Sequence, residues 1–135
     1  TAKFYLFDTG VTHALAGTTT LDRNSDLYGR SFEQWVAMEL RAYLSYRRRR
    51  EPLAYWRSTH GFEVDFVVGD HTAIETKATR KVTPRDLRGL HALAEERPFR
   101  RLLLVSDDRV EAKHGAIRCL HWRSFADELW GDRLL

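Results

Sequence analysis

Apolar residues recur at a 3.6-residue period through Phe32, Trp35, Val36, Leu40, Tyr43 and Leu44, which predicts an amphipathic helix running to about Tyr46. Ser31-Phe32-Glu33-Gln34 reads as its capping box, the Ser31 hydroxyl accepting a backbone N–H while Gln34 reaches back. Three β-like segments follow Pro52: Leu53–Arg57, residues 62–68, and Thr72–Lys77. Thr59-His60-Gly61 and Gly69-Asp70-His71 separate them, loops short enough for an antiparallel meander. Thr83 as N-cap and Pro84 at the first helical position announce another helix, with Leu87, Leu90, His91 and Ala94 as its stripe. Residues 101–105 and 116–120 read as strands, and Ser124 caps a last short helix through Trp130. Ahead of these, residues 4–7 read as a short strand stopped by the turn Asp8-Thr9-Gly10, residues 11–16 as a helical turn, and polar residues 18–24 as a mobile loop. The order helix, three strands, helix, strand, strand, helix predicts an α/β fold with a mixed sheet flanked by helices.

The same periods place acidic residues where they need an explanation. On the first long helix, Glu39 falls within the apolar stripe and Glu33 at its edge. A carboxylate on an apolar face is costly unless it is paired or coordinated. Along the second strand, Phe62, Val64, Phe66 and Val68 alternate with Glu63, Asp65 and Val67. On the third, Ala73, Glu75 and Lys77 share a face opposite Ile74 and Thr76. Pairing the two strands with matching faces brings Asp65, Glu75 and Lys77 together, and the preceding helix would add Glu33 or Glu39. Two carboxylates about 4 Å apart repel by roughly 4 kcal/mol at an effective dielectric of ~20. One of them therefore takes up a proton, or the group binds a hard divalent cation. Oxygen ligands that leave several waters on the ion suit Mg²⁺ or Mn²⁺ rather than Zn²⁺. Such an ion polarises phosphoryl oxygens and activates water, and Lys77 would orient that water or stabilise developing charge. Metal-assisted phosphodiester hydrolysis is the chemistry this grouping fits. Its competing reading is a set of salt bridges, with Arg57 as the partner of Glu33 or Glu39.

Composition narrows the class. The chain has 135 residues, 43% hydrophobic and 30% charged, enough for one domain spanning 1–135, with residues 1–25 leading into the core. Opening on Thr1 rather than Met, it reads as part of a longer polypeptide. No apolar run approaches the ~18 residues of a membrane span, so no membrane partner is expected. A single cysteine, Cys119, excludes an internal disulfide framework and a thiolate zinc cluster, and fits a cytoplasmic setting. Net charge is only +3, yet eighteen of the 22 basic residues are arginine, whose planar fork suits phosphate oxygens. A generally arginine-rich proteome would give the same bias. Arg57, Arg80, Lys81, Arg85 and Arg88 border the acidic group and are the candidate nucleic-acid contacts. The run Arg47-Arg48-Arg49-Arg50 ends a helix, where cations complement the helix dipole.

The spacing Asp65, then Glu75-Thr76-Lys77, with Glu33 four residues after Gly29, resembles the PD-(D/E)XK nuclease superfamily. A second resemblance covers nearly the whole chain. It is carried by Lys3-Phe4-Tyr5-Leu6-Phe7-Asp8-Thr9-Gly10-Val11, Gly29-Arg30-Ser31-Phe32-Glu33 with Glu39-Leu40, Tyr55-Trp56-Arg57, Glu63-Val64-Asp65-Phe66-Val67, Ile74-Glu75-Thr76-Lys77, Asp86-Leu87-Arg88-Gly89-Leu90 and the closing stretch from Trp122 to Trp130. These segments are similar to the uncharacterised domain found C-terminal to AAA-type ATPase modules in bacteria and archaea. The resemblance implies an αβββαβ nuclease-like core, Asp65, Glu75 and Thr76 as metal ligands, and Lys77 with Glu33 or Glu39 as further catalytic groups. It also implies DNA as substrate and an ATPase module in the same polypeptide. The chain has no Gly-x-x-x-x-Gly-Lys-Ser/Thr phosphate loop of its own. A silent nucleic-acid-binding module and an oligomerisation domain for the ATPase are the alternatives.

Overall fold

The computed structural model describes residues 2–6, 8–17 and 21–135. β1 (Leu53–Arg57), β2 (Glu63–Val68) and β3 (Thr72–Lys77) form an antiparallel meander. β4 (Arg101–Ser106) and β6 (Ile117–His121) extend it in parallel, and β5 (Ala112–His114) pairs antiparallel at the far edge. The resulting mixed sheet has six strands in the order β1-β2-β3-β4-β6-β5. Its helices are α1 (Thr9–Leu15), α2 (Asp26–Tyr46), α3 (Arg88–Glu96) and α4 (Trp122–Trp130). From α2 to β4 the order is helix, three strands, helix, strand.

Strand alternation divides the core in two. Phe66, Val68, Ile74, Leu103, Val105 and Leu120 pack against Val36, Leu40 and Tyr43 of α2 and Phe125 and Leu129 of α4. Val67, Ala73, Leu102, Leu104, Ile117 and Cys119 pack on the other face against Leu87, Leu90 and Leu93. Each such side chain removed from water contributes roughly 1.5–3 kcal/mol, so helices on both faces are required by the sequence of β4, which is apolar on both sides.

Strict alternation fails at one place in β2. Ala54 pairs with Val67 and Trp56 with Val64, so two steps along β1 face three along β2. This β-bulge turns Val64 into the α3-facing core beside Val67, away from Phe66 and Val68. The expectation that Val64, Phe66 and Val68 share a face is corrected accordingly.

Other boundaries shift for local reasons. The first long helix is capped by Ser25, whose hydroxyl accepts from Tyr28 N, and not by Ser31. Ser31 sits inside α2, where its hydroxyl donates to Leu27 O one turn back. Residues 4–6 are irregular rather than strand, Phe7 lies outside the described residues, and Asp8 caps α1 by accepting from Val11 N. Of the expected loop, residues 18–20 lie outside the described residues. Thr83 and Pro84 do open a helix, but as a 3₁₀ turn, Pro84–Leu87, which passes into α3. That tighter start sets the buried stripe at i+3, as Leu87, Leu90 and Leu93, and leaves His91 and Ala94 exposed. α4 starts at Trp122 with His121 as its cap, while Ser124 donates to Glu111 instead. β5 carries no apolar alternation and is largely exposed, which is why the pattern misses it. Among the described residues no helix is long and apolar enough to cross a membrane.

Candidate functional site

The bulge in β2 creates a fork in the sheet. Pairing of β2 with β3 runs from Val68↔Thr72 to Phe66↔Ile74. Beyond it, the Thr76 backbone N–H donates to the Asp65 side chain, at 2.9 Å to Oδ2, and the Thr76 hydroxyl donates to the same oxygen at 2.7 Å. Two donors on one oxygen hold the carboxylate in a single orientation and leave Oδ1 for other partners. Asp65 is buried, 8% exposed, yet it lines a polar cleft of about 690 Å³ that opens past the fork.

Glu75 and Lys77 line the same cleft. Glu75 is 5% exposed, and its Oε2 is buried with no hydrogen-bond partner among the described residues. Lys77 Nζ stands 3.5 Å from the other oxygen, Oε1. Burial, and after it the charge of Asp65, push the Glu75 carboxyl up to about 9, against the opposing pull of Lys77. Desolvation dominates because an ionised carboxylate here loses its water and gains only the half-exposed Lys77 ammonium, at 3.5 Å from one of its oxygens. In the absence of another cation Glu75 is therefore a neutral acid at pH 7.

α2 supplies Glu33 from its first half, and Glu33 meets groups that sequence reasoning missed. Lys3 Nζ donates to Glu33 Oε1 at 2.9 Å and lies 3.5 Å from Asp65 Oδ1. The Tyr5 hydroxyl donates to the same Glu33 oxygen at 2.6 Å. Burial would lower the Lys3 pKa, but the Glu33 hydrogen bond and the Asp65 charge outweigh it and the net shift is upward. For Tyr5, burial and the Glu33 hydrogen bond both raise it. Gln34, buried beside Glu33 on α2, fastens the segment further by donating to Leu6 O at 2.8 Å. The signal available in the sequence is the Lys3-x-Tyr5 spacing, of which only Tyr5 falls within the expected strand, residues 4–7.

The structure sorts the remaining candidates by position. Arg85 and Arg88 line the cleft, and so does Arg30, one helical turn before Glu33. Arg57 pairs with Glu63 at 3.2 Å, and Arg80 approaches Asp107 at 3.6 Å. Lys81 is exposed and is not among the cleft-lining residues. Glu39 is not brought to the cleft: its Oε2 accepts from Trp130 Nε1 at 2.7 Å, so an indole and not Arg57 satisfies it. Two of the four arginines in the run make structural contacts. Arg47 caps α2 and donates to Asp132, and Arg49 pairs with Glu51.

The donor set bears on whether a cation fits. Every cleft oxygen discussed is a carboxylate or hydroxyl, the set preferred by Mg²⁺ and Mn²⁺. Glu75 Oε2 is a buried oxygen without a hydrogen-bond partner among the described residues, a state that a coordinated cation would resolve. Among the described residues no three His, Cys, Asp or Glu side chains close a metal cage. An open site of two carboxylates is the arrangement in which Mg²⁺ keeps most of its waters for substrate oxygens. The residues present therefore fit an Mg²⁺-type ion.

A family model described as Domain of unknown function (DUF4143) matches residues 28–125, from the start of α2 into α4. Neither a curated protein nor a solved structure matches the chain significantly.

Proposed function

The chain belongs to the DUF4143 family, and we propose that it is a Mg²⁺- or Mn²⁺-dependent phosphodiesterase acting on DNA, built on a PD-(D/E)XK nuclease-like core. The observation that carries this reading is the convergence of Asp65, Glu75 and Lys77 where β2 and β3 fork apart, with a buried Glu75 oxygen left unpartnered among the described residues. Asp65 Oδ1 and Glu75 Oε2 would hold the ion, with Thr76 fixing Asp65 through its two hydrogen bonds. When bound, the ion would supply Lewis-acid activation of a phosphoryl oxygen and a more acidic water.

The chain's own groups carry the rest. Lys77, whose side chain is 42% exposed, reaches from the buried Glu75 toward the open cleft, where its ammonium would stabilise charge developing on phosphate. Arg30, Arg85 and Arg88 would grip flanking phosphates and set the strand's direction across the cleft. Glu33 takes the place of the third acid, on the ground that Glu39 is committed to Trp130. The sequence resemblance supports an AAA-type ATPase module of the same polypeptide as partner, and the buried free thiol of Cys119 supports a reducing, cytoplasmic setting.

The test is nicking of supercoiled plasmid with Mg²⁺ or Mn²⁺. Lys77→Ala should abolish it without changing the unfolding midpoint. A wild type inert on DNA and RNA with either ion would defeat the enzymatic reading. A second reading, a silent nucleic-acid-binding or regulatory domain, draws on a different observation: Lys3 already balances Glu33 and Asp65. It expects salt-sensitive DNA binding that survives Lys77→Ala.

A further inference from the structure

We propose that Lys3 is a tethered occupant of the cation position, an ammonium that a divalent ion must displace before the cleft is competent. The inference rests on the metal reading above and concerns how that site is controlled. Thr76 spends both its donors on Asp65 Oδ2, so Oδ1 is the oxygen left for a cation. Lys3 Nζ faces that oxygen at 3.5 Å while donating to Glu33 Oε1 at 2.9 Å. One side chain from an irregular segment thus bridges carboxylates from α2 and β2.

The attachment is reversible by construction. The Lys3 side chain is 31% exposed, and its Nζ sits over the Tyr55 ring, 5.2 Å from the centroid. The ammonium can swing into water without unseating the segment, because Tyr5 and Leu6 remain fastened to Glu33 and Gln34. A single positive charge on a flexible four-carbon stem satisfies Asp65 and Glu33 well enough to hold them in place. It leaves Glu75 Oε2 unpartnered, which a doubly charged ion would not. Anything that drew residues 2–6 off α2 would raise the affinity of the cleft for metal, so the segment acts as a charge gate.

The test is calorimetric titration of Mn²⁺ into the whole chain, comparing wild type with Lys3→Met, Lys3→Gln, Lys3→Arg and Asp65→Asn. Both neutral variants should bind Mn²⁺ at least tenfold more tightly than wild type; having two keeps the test open if one folds poorly. Lys3→Arg should stay near wild type, and Asp65→Asn should bind none. Equal or weaker affinity in the neutral variants would overturn the gate while leaving the metal site standing. No Mn²⁺ binding in wild type and neutral variants alike would overturn the metal reading and the gate with it.

Discussion

Glu75→Gln isolates the energetic core of the cleft. In the folded chain the Glu75 carboxyl lies at about 9, raised by burial and by Asp65, against an ordinary value of 4.5. Between those two values the folded state holds one proton more than the unfolded state. Stability therefore falls as pH rises through that window, with a limiting slope of about 1.4 kcal/mol per pH unit. From pH 5 to pH 8 the ceiling is about 4 kcal/mol, reduced by any water that enters to solvate the ionised form. Glutamine keeps the shape of the neutral acid and does not titrate. Near pH 5 the two proteins should unfold at similar urea concentrations; near pH 8 the Gln variant should be the more stable by several kcal/mol. Every other ionisable group is common to both proteins and cancels in the difference. The measurement is a series of urea melts in the presence of EDTA. Parallel curves for wild type and variant from pH 5 to pH 8 would refute the claim that Glu75 is buried neutral. Added Mn²⁺ should act in the opposite sense, binding more tightly as pH rises, because the ion requires the ionised form.

Gly89 lies where α3 presses on β2, and a Cβ there would stand 2.1 Å from Glu63 O; Gly89→Ala should lower the unfolding free energy by about 1–3 kcal/mol or more, visible as a shifted urea midpoint. Trp130→Phe deprives Glu39 of its indole donor and should cost about 1–2 kcal/mol in the same assay, yet leave Mn²⁺ affinity unchanged, since Glu39 is not at the cleft. Thr76→Val removes one of the two donors on Asp65 Oδ2 and should weaken Mn²⁺ binding several-fold by titration, whereas Thr76→Ser should retain it. Arg85→Ala with Arg88→Ala should reduce the salt dependence of duplex binding by about one counterion per arginine, while Lys81→Ala should change it little.

Much of the architecture was legible in one dimension because short-range periods encode it. The stripe from Phe32 to Leu44 can be buried only as a helix, and the Gly-containing loops around residues 61 and 69 leave β1 to β3 little choice but a meander. Glu75 and Lys77 on one strand, with Asp65 on the previous one, already implied an acidic group facing a cation. Position-specific chemistry near chain irregularities was not legible. Ser31 looks like a cap in the sequence, and only the packed start of α2 shows the helix to begin earlier, at the Ser25 cap.

Tertiary structure alone decided three things. It put an extra residue into β2, so that the strands fork at Asp65 and Thr76 turns its donors onto a side chain instead of a neighbouring backbone. It chose between two helical acids, Glu39, which the apolar period favours, and Glu33, which the spacing from Gly29 favours, sending Glu39 to Trp130 and Glu33 to the cleft. And it folded the Lys3–Tyr5 segment back across α2, placing an ammonium between Glu33 and Asp65. Local patterns report which residues want burial, whereas charges separated by dozens of residues find one another only once the sheet and α2 bring them close, and no period in the chain records that distance.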